Sequence, residues 1–119
     1  MTPESLVRGI HDHCFETAIA DTEATLLAPA GRAPRARLVA LSGWFVELGE
    51  DDRVRVMEVA RMAAHGATFG VLAALDGSRK IADGELRLTD ESGHVLAATE
   101  SSTELHDLFQ AEVGDWLTA

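Results

Sequence analysis

Apolar residues recur every three or four positions along the first segment of the chain. In ESLVRGIHDHCFETAIADTEATLLA, Leu6, Val7, Ile10, Cys14 and Ala18 share one stripe, while Glu4, Arg8, Asp12 and Glu16 lie off it. That spacing predicts an amphipathic helix. Pro3 suits its first turn, and Asp21-Thr22 leaves open whether it runs unbroken to Leu27. Pro29, Gly31 and Pro34 then mark a loop. A second helix is expected over residues 36–48. Leu38, Leu41, Phe45 and Leu48 form its stripe, and Val39, Trp44 and Val46 widen it. Gly43 weakens this helix by ~1 kcal/mol relative to alanine, and Gly49 suits its stop.

Glu50, Asp51 and Asp52 open a third helix, where acids complement the dipole. Its first half is amphipathic, with Val56, Val59, Ala60 and Ala63 on one face and Arg55, Glu58 and Arg61 on another. Its second half, GATFGVLAAL, has no polar side except Thr68. A helix apolar all round is one surrounded by protein, so this helix is expected at the centre of the fold, ending at Asp76-Gly77.

The period then changes. ELRLT alternates, with Leu86 and Leu88 on one face, DESG is a turn, and HVLAAT returns as a second strand. Ile81 could extend the hairpin's apolar face. Leu105, Leu108, Phe109, Glu112/Val113 and Trp116 follow helical spacing in SSTELHDLFQAEVGDWL, and Ser101-x-x-Glu104 fits a capping box. The expected fold class is α+β, predominantly α-helical. Four main helices form a single compact domain over residues 1–119, with a β-hairpin between the third and the C-terminal helix. A two-stranded hairpin is marginal alone and must lie on a helix or pair with another chain.

Composition narrows the function. Apolar residues make up 46% of 119, which is ordinary for a globular domain able to bury a core. Twenty acids oppose ten bases, for a formal charge of −10, and Lys80 is the sole lysine. That usage, with abundant alanine, resembles the coding bias of a GC-rich, bacterial genome. A negative field repels phosphate backbones and anionic membranes and attracts basic partners. It also keeps a domain soluble whatever it binds. The acidity is uneven: from Asp83 onward only Arg87 opposes nine acids, while bases gather in RAPRAR and RVRVMEVAR. One cysteine, Cys14, precludes an internal disulfide and favours a reducing compartment. MTPESLVRGIHDH lacks the features of a signal peptide, and no apolar run reaches the ~18 residues of a membrane span. Cytoplasm is the expected location.

Candidate chemistry is sparse. In AAHGATFGVLAALDG, residues 63–77, Gly66-xxx-Gly70 has the spacing of a membrane-dimer motif, but the run is short and flanked by Arg61 and His65. A phosphate loop needs a strand before its glycines and a helix after them, and here they fall inside a helical pattern. The plainer expectation is a groove of small residues, Ala63, Gly66, Ala67, Gly70 and Ala74, that admits another helix in the core or a second copy in a homodimer. His65 is either the helix's last solvent contact or a buried polar group needing a partner.

In HDHCFE, His11, His13, Cys14 and Glu16 are metal-ligand types. On a helix only His11/Cys14 or His13/Glu16 share a face, so His65 or His106 would have to complete a site. The plainer expectation is a buried Cys14 with surface histidines. Cys14 beside a histidine could form a reactive thiolate pair, but Ser42, Ser78 and Ser101 lack a nucleophile-elbow context, and no residue set identifies a reaction. Arg53, Arg55 and Arg61 could touch phosphates in a helix-turn-helix, against the global charge.

These observations favour a small acidic, non-catalytic protein-binding domain that takes no cofactor. The acidic C-terminal third suggests a docking face of Glu100, Glu104, Asp107, Glu112 and Asp115, with His106 and Trp116 as anchors. Its expected partner is a protein with a basic surface, as for immunity or antitoxin proteins and phage accessory proteins. Two alternatives stay open. One is a metal- or ligand-binding enzyme using His11, His13 and Cys14 with His65 or His106. The other is a self-associating module built on the hairpin or the glycine groove. Membrane and nucleic-acid partners are not expected.

Overall fold

The computed structural model describes residues 1–115. The α+β, predominantly helical architecture is present. In chain order it comprises α1 (Pro3–Ile10), a π-helical turn (His11–Phe15), α2 (Glu16–Leu27), α3 (Ala36–Glu47), α4 (Glu50–Leu75), strands β1 (Arg87–Thr89) and β2 (Val95–Ala98), and α5 (Leu105–Val113). Packing groups these elements into two compact units, one of residues 1–15 with 65–119 and one of residues 16–64. No helix among the described residues is long and apolar enough to cross a membrane.

In the first unit, α1 starts at a reciprocal cap. The Ser5 N–H donates to Thr2 Oγ1, and the Thr2 N–H donates to Ser5 Oγ. Val7 is buried, and the next buried position is Phe15. The π turn inserts one extra residue into the helical repeat. The stripe that starts at Val7 and Ile10 therefore continues to Phe15, while Cys14 and Ala18 are exposed. This corrects the expectation of a buried Cys14.

The later part of α4 buries Leu72, Ala73 and Ala74, while Gly66, Ala67 and Val71 are exposed. The apolar stretch is thus covered on one side and not surrounded. The side chain lying in the expected groove is Arg79: a Cβ on Gly70 would meet its Nη1 at 2.7 Å. The groove that remains, about 450 Å³, is lined by Gly66, Gly70, Val71, Arg79 and Ile81 among others. The helix ends in a Schellman motif, with the Gly77 N–H bonded to the Ala74 carbonyl and the Ser78 N–H to that of Ala73. Gly77 takes φ +82°, and a Cβ there would lie 2.8 Å from Thr99 Oγ1.

The hairpin pairs Arg87 with Ala98, Leu88 with Ala97 and Thr89 with Val95, with a bulge between Leu88 and Thr89. Leu96, Ala97 and Ala98 are all buried, and β2 packs on α1, which provides the helix that a two-stranded hairpin requires. Ile81, at 68% exposure, does not extend its apolar face.

Asp90 closes the turn by accepting the N–H groups of Ser92 and His94 and facing His94 Nδ1, each at 2.9 Å. The hydrogen bond with the His94 ring, reinforced by the His94 and Ser92 backbone N–H groups, holds this carboxyl well below the usual carboxylate range. A carboxyl whose folded pKa is depressed contributes stability that is intact above its unfolded pKa and is lost as pH falls through the folded one. Wild type is therefore expected to melt above Asp90→Asn at pH 7. The gap should narrow below about pH 4, as checked by thermal melts of both proteins from pH 7 to 2.

The second unit holds α2, α3 and the start of α4. α2 and α3 pack together across the Pro29–Pro34 loop. Arg61 on α4 makes a two-pronged ion pair with Glu16 on α2, at 2.8 and 3.3 Å. The expected α3 stripe is only partly buried: Phe45 is 1% exposed, but Leu38 and Leu41 are 38% and 44% exposed.

Candidate functional site

The first turn of α5 is held by a side chain from another element. Asp76 follows directly on α4, and its carboxylate is 2% exposed. Its Oδ1 accepts the Leu105 N–H at 2.8 Å, and its Oδ2 accepts the His106 N–H at 2.9 Å. These are two of the donors that a helix start leaves without partners. The expected Ser101/Glu104 capping box does not form. Glu104 occupies the cap position without a side-chain cap bond, and Ser101 Oγ instead donates to the Thr103 carbonyl. A buried carboxylate delivered across the fold has taken the place of a local cap.

The same carboxylate fixes a histidine. His106 Nδ1 lies 2.6 Å from Asp76 Oδ2, and an ionised carboxylate can only accept, so this nitrogen carries the hydrogen. The ring stands edge-on to Phe69, with centroids 5.2 Å apart, and its side chain is 12% exposed. Its other nitrogen, Nε2, faces Glu104 Oε2 at 3.3 Å and Asp107 Oδ1 at 3.5 Å. Two carboxylates around an oriented imidazole suit a positive charge between them. Among the described residues, Glu104, His106 and Asp107 form the one group of metal-type donors whose atoms lie within 4.8 Å of one another. A carboxylate behind a histidine is also the usual outer partner of a metal ligand, so these three side chains are the ones with the chemistry to hold a divalent cation.

The remaining sequence candidates are dispersed. Glu100 pairs with Arg87 of β1. Glu112 lies 3.9 Å from Arg8 of α1, so an arginine from outside the acidic third also opposes its charge. Asp115 is exposed, and Trp116 lies outside the described residues. His11 pairs with Asp12 at 2.8 Å and packs beside Phe15 and Phe109. His13 and Cys14 are exposed. Because the π turn breaks the three-residue spacing, His11 and Cys14 do not share a face, and neither belongs to the Glu104 group. His65 is a half-buried polar group with a partner: Nε2 lies 2.8 Å from Gln110 Oε1, and its ring stacks on Phe69 and Phe109.

Asp76 is the residue that sequence reasoning missed, having been taken only as a helix stop. An acid at a helix C-terminus opposes the dipole, and that misfit was the available signal. Comparison with protein-family models, curated proteins and solved structures found no match to this chain.

Proposed function

We propose that the protein is a non-catalytic binding domain whose acidic unit docks a protein with a basic surface, in the manner of small bacterial immunity or antitoxin proteins. One observation carries this reading. The unit of residues 1–15 and 65–119 contains twelve acids against four bases, whereas residues 16–64 contain eight against six. Glu104 and Asp107 flank His106 on the first turn of α5, the turn that Asp76 holds in place. Carboxylates fixed on a rigid element give steered association and specificity against wrong partners.

The test compares wild type with a Glu104→Lys/Asp107→Lys/Asp115→Lys variant in affinity capture from the source cytoplasm, with circular dichroism to verify folding. A basic protein retained by wild type is expected to be lost by the folded variant and to elute as salt is raised. Retention of the same proteins by both forms overturns the reading.

A further inference from the structure

α3 is apolar on every side yet covered on only one. ARLVALSGWFVE carries no charge between Arg37 and Glu47, and helices of that kind belong inside protein. Only Ser42 and Phe45 are buried, while Val39, Trp44 and Val46 are 50%, 51% and 46% exposed. Successive residues turn by about 100°, so Ala36, Ala40, Gly43 and Glu47 fall along one line, all of them exposed. Val39 and Val46 flank that line on one side and Arg37 and Trp44 on the other. A Cβ on Gly43 would meet nothing within 4 Å. The open face thus has a small centre and apolar shoulders, a shape that lets a second helix approach closely.

The charges at its two ends say what covers it. Arg32, Arg35 and Arg37 lie at the N-terminal end, and Glu47, Glu50 and Asp51 at the other. Among the described residues none of the six makes a side-chain hydrogen bond or ion pair. Arg37 in the first turn and Glu47 in the last also oppose the dipole of α3. A basic partner would be repelled at one end and an acidic partner at the other. A second copy laid end to end in reverse meets opposite charge at both, because a two-fold interface sets residue i against j and j against i. Residues 16–64, with eight acids against six bases, also repel a second copy far less than the strongly acidic unit does.

We propose that the protein forms a two-fold dimer through α3, antiparallel to α3 of a second copy. Val39, Gly43, Trp44 and Val46 lie at its centre, and Arg37 of each copy meets Glu47 of the other. Interfaces of this kind cover about 800 Å² per partner, and Val54, Val59 and Met62 are further exposed apolar side chains of the same unit.

The full chain should sediment at twice 12.7 kDa in analytical ultracentrifugation at concentrations up to about 100 µM, where even a micromolar Kd leaves mostly dimer. Gly43→Lys points into open space in one copy and replaces a poor helix former. It should leave the melting profile of the monomer intact while weakening dimerisation by about 100-fold. Arg37→Glu should weaken it by about tenfold, and Arg37→Glu/Glu47→Arg should restore it. A monomeric wild type, a dimer indifferent to Gly43→Lys, or a charge swap that fails to rescue overturns the proposal.

Discussion

Replacing Phe109 by alanine is expected to cost about 3–5 kcal/mol, the range for deleting a buried aromatic ring, and to lower Tm by roughly 10–20 °C. Phe109 is fully buried on α5. Its ring meets Phe15 edge-on at 5.3 Å and stacks on His65 at 5.6 Å, with His11 at 6.4 Å. It therefore joins α5 to the π turn and to α4 in one aromatic cluster. The cavity left by alanine cannot close easily, because its walls come from three elements each fixed by its own backbone bonds. Urea melts should show a lower midpoint with an unchanged slope. Phe109→Leu, which keeps most of the volume, should cost less than half as much. A Phe109→Ala loss below about 1 kcal/mol would show that the cluster relaxes around the gap, contrary to this account.

What the sequence made legible follows from periodicity. A 3.6-residue repeat placed all four helical segments, and its change to a period of two placed the hairpin, because those signals are carried by many residues at once. Single-residue events escaped. The π turn leaves no trace in the pattern except that Phe15, and not Cys14, is the buried residue. The central role given to α4 failed at Gly66, Ala67 and Val71, because an apolar composition does not say which sides of a helix the rest of its own chain covers. α3 makes the same point: its apolar stripe, widened by Val39, Trp44 and Val46, was visible, but the depth of its burial was not. Of the acidic face, Glu104, His106 and Asp107 do come together, while Glu100 and Glu112 face Arg87 and Arg8. The pairing with Arg8 spans 104 positions, a separation at which sequence spacing carries no information.

Asp76 carries the second large effect. Asp76→Ala is expected to lose about 2–4 kcal/mol, because two backbone N–H groups at the start of α5 are left without an acceptor and each such loss costs roughly 1–3 kcal/mol where burial is complete. The Leu105 donor is in a fully buried residue and that of His106 in a partly buried one, so the sum falls short of twice the upper figure. Loss of an ordinary surface cap costs about 1 kcal/mol, and the excess here measures burial. His106→Ala removes the ring bond but leaves both backbone bonds to Asp76, so it should cost about half as much or less. Asp76→Asn keeps one acceptor oxygen but turns an amide donor toward a backbone donor, which places it between the two. The order Asp76→Ala, Asp76→Asn, His106→Ala therefore separates a capping carboxylate from one that serves only to orient the histidine. Equal losses for Asp76→Ala and His106→Ala would assign Asp76 the second role alone. Amide exchange supplies the local check: Leu105 and His106 should lose protection in Asp76→Ala while the amides of β2 keep theirs.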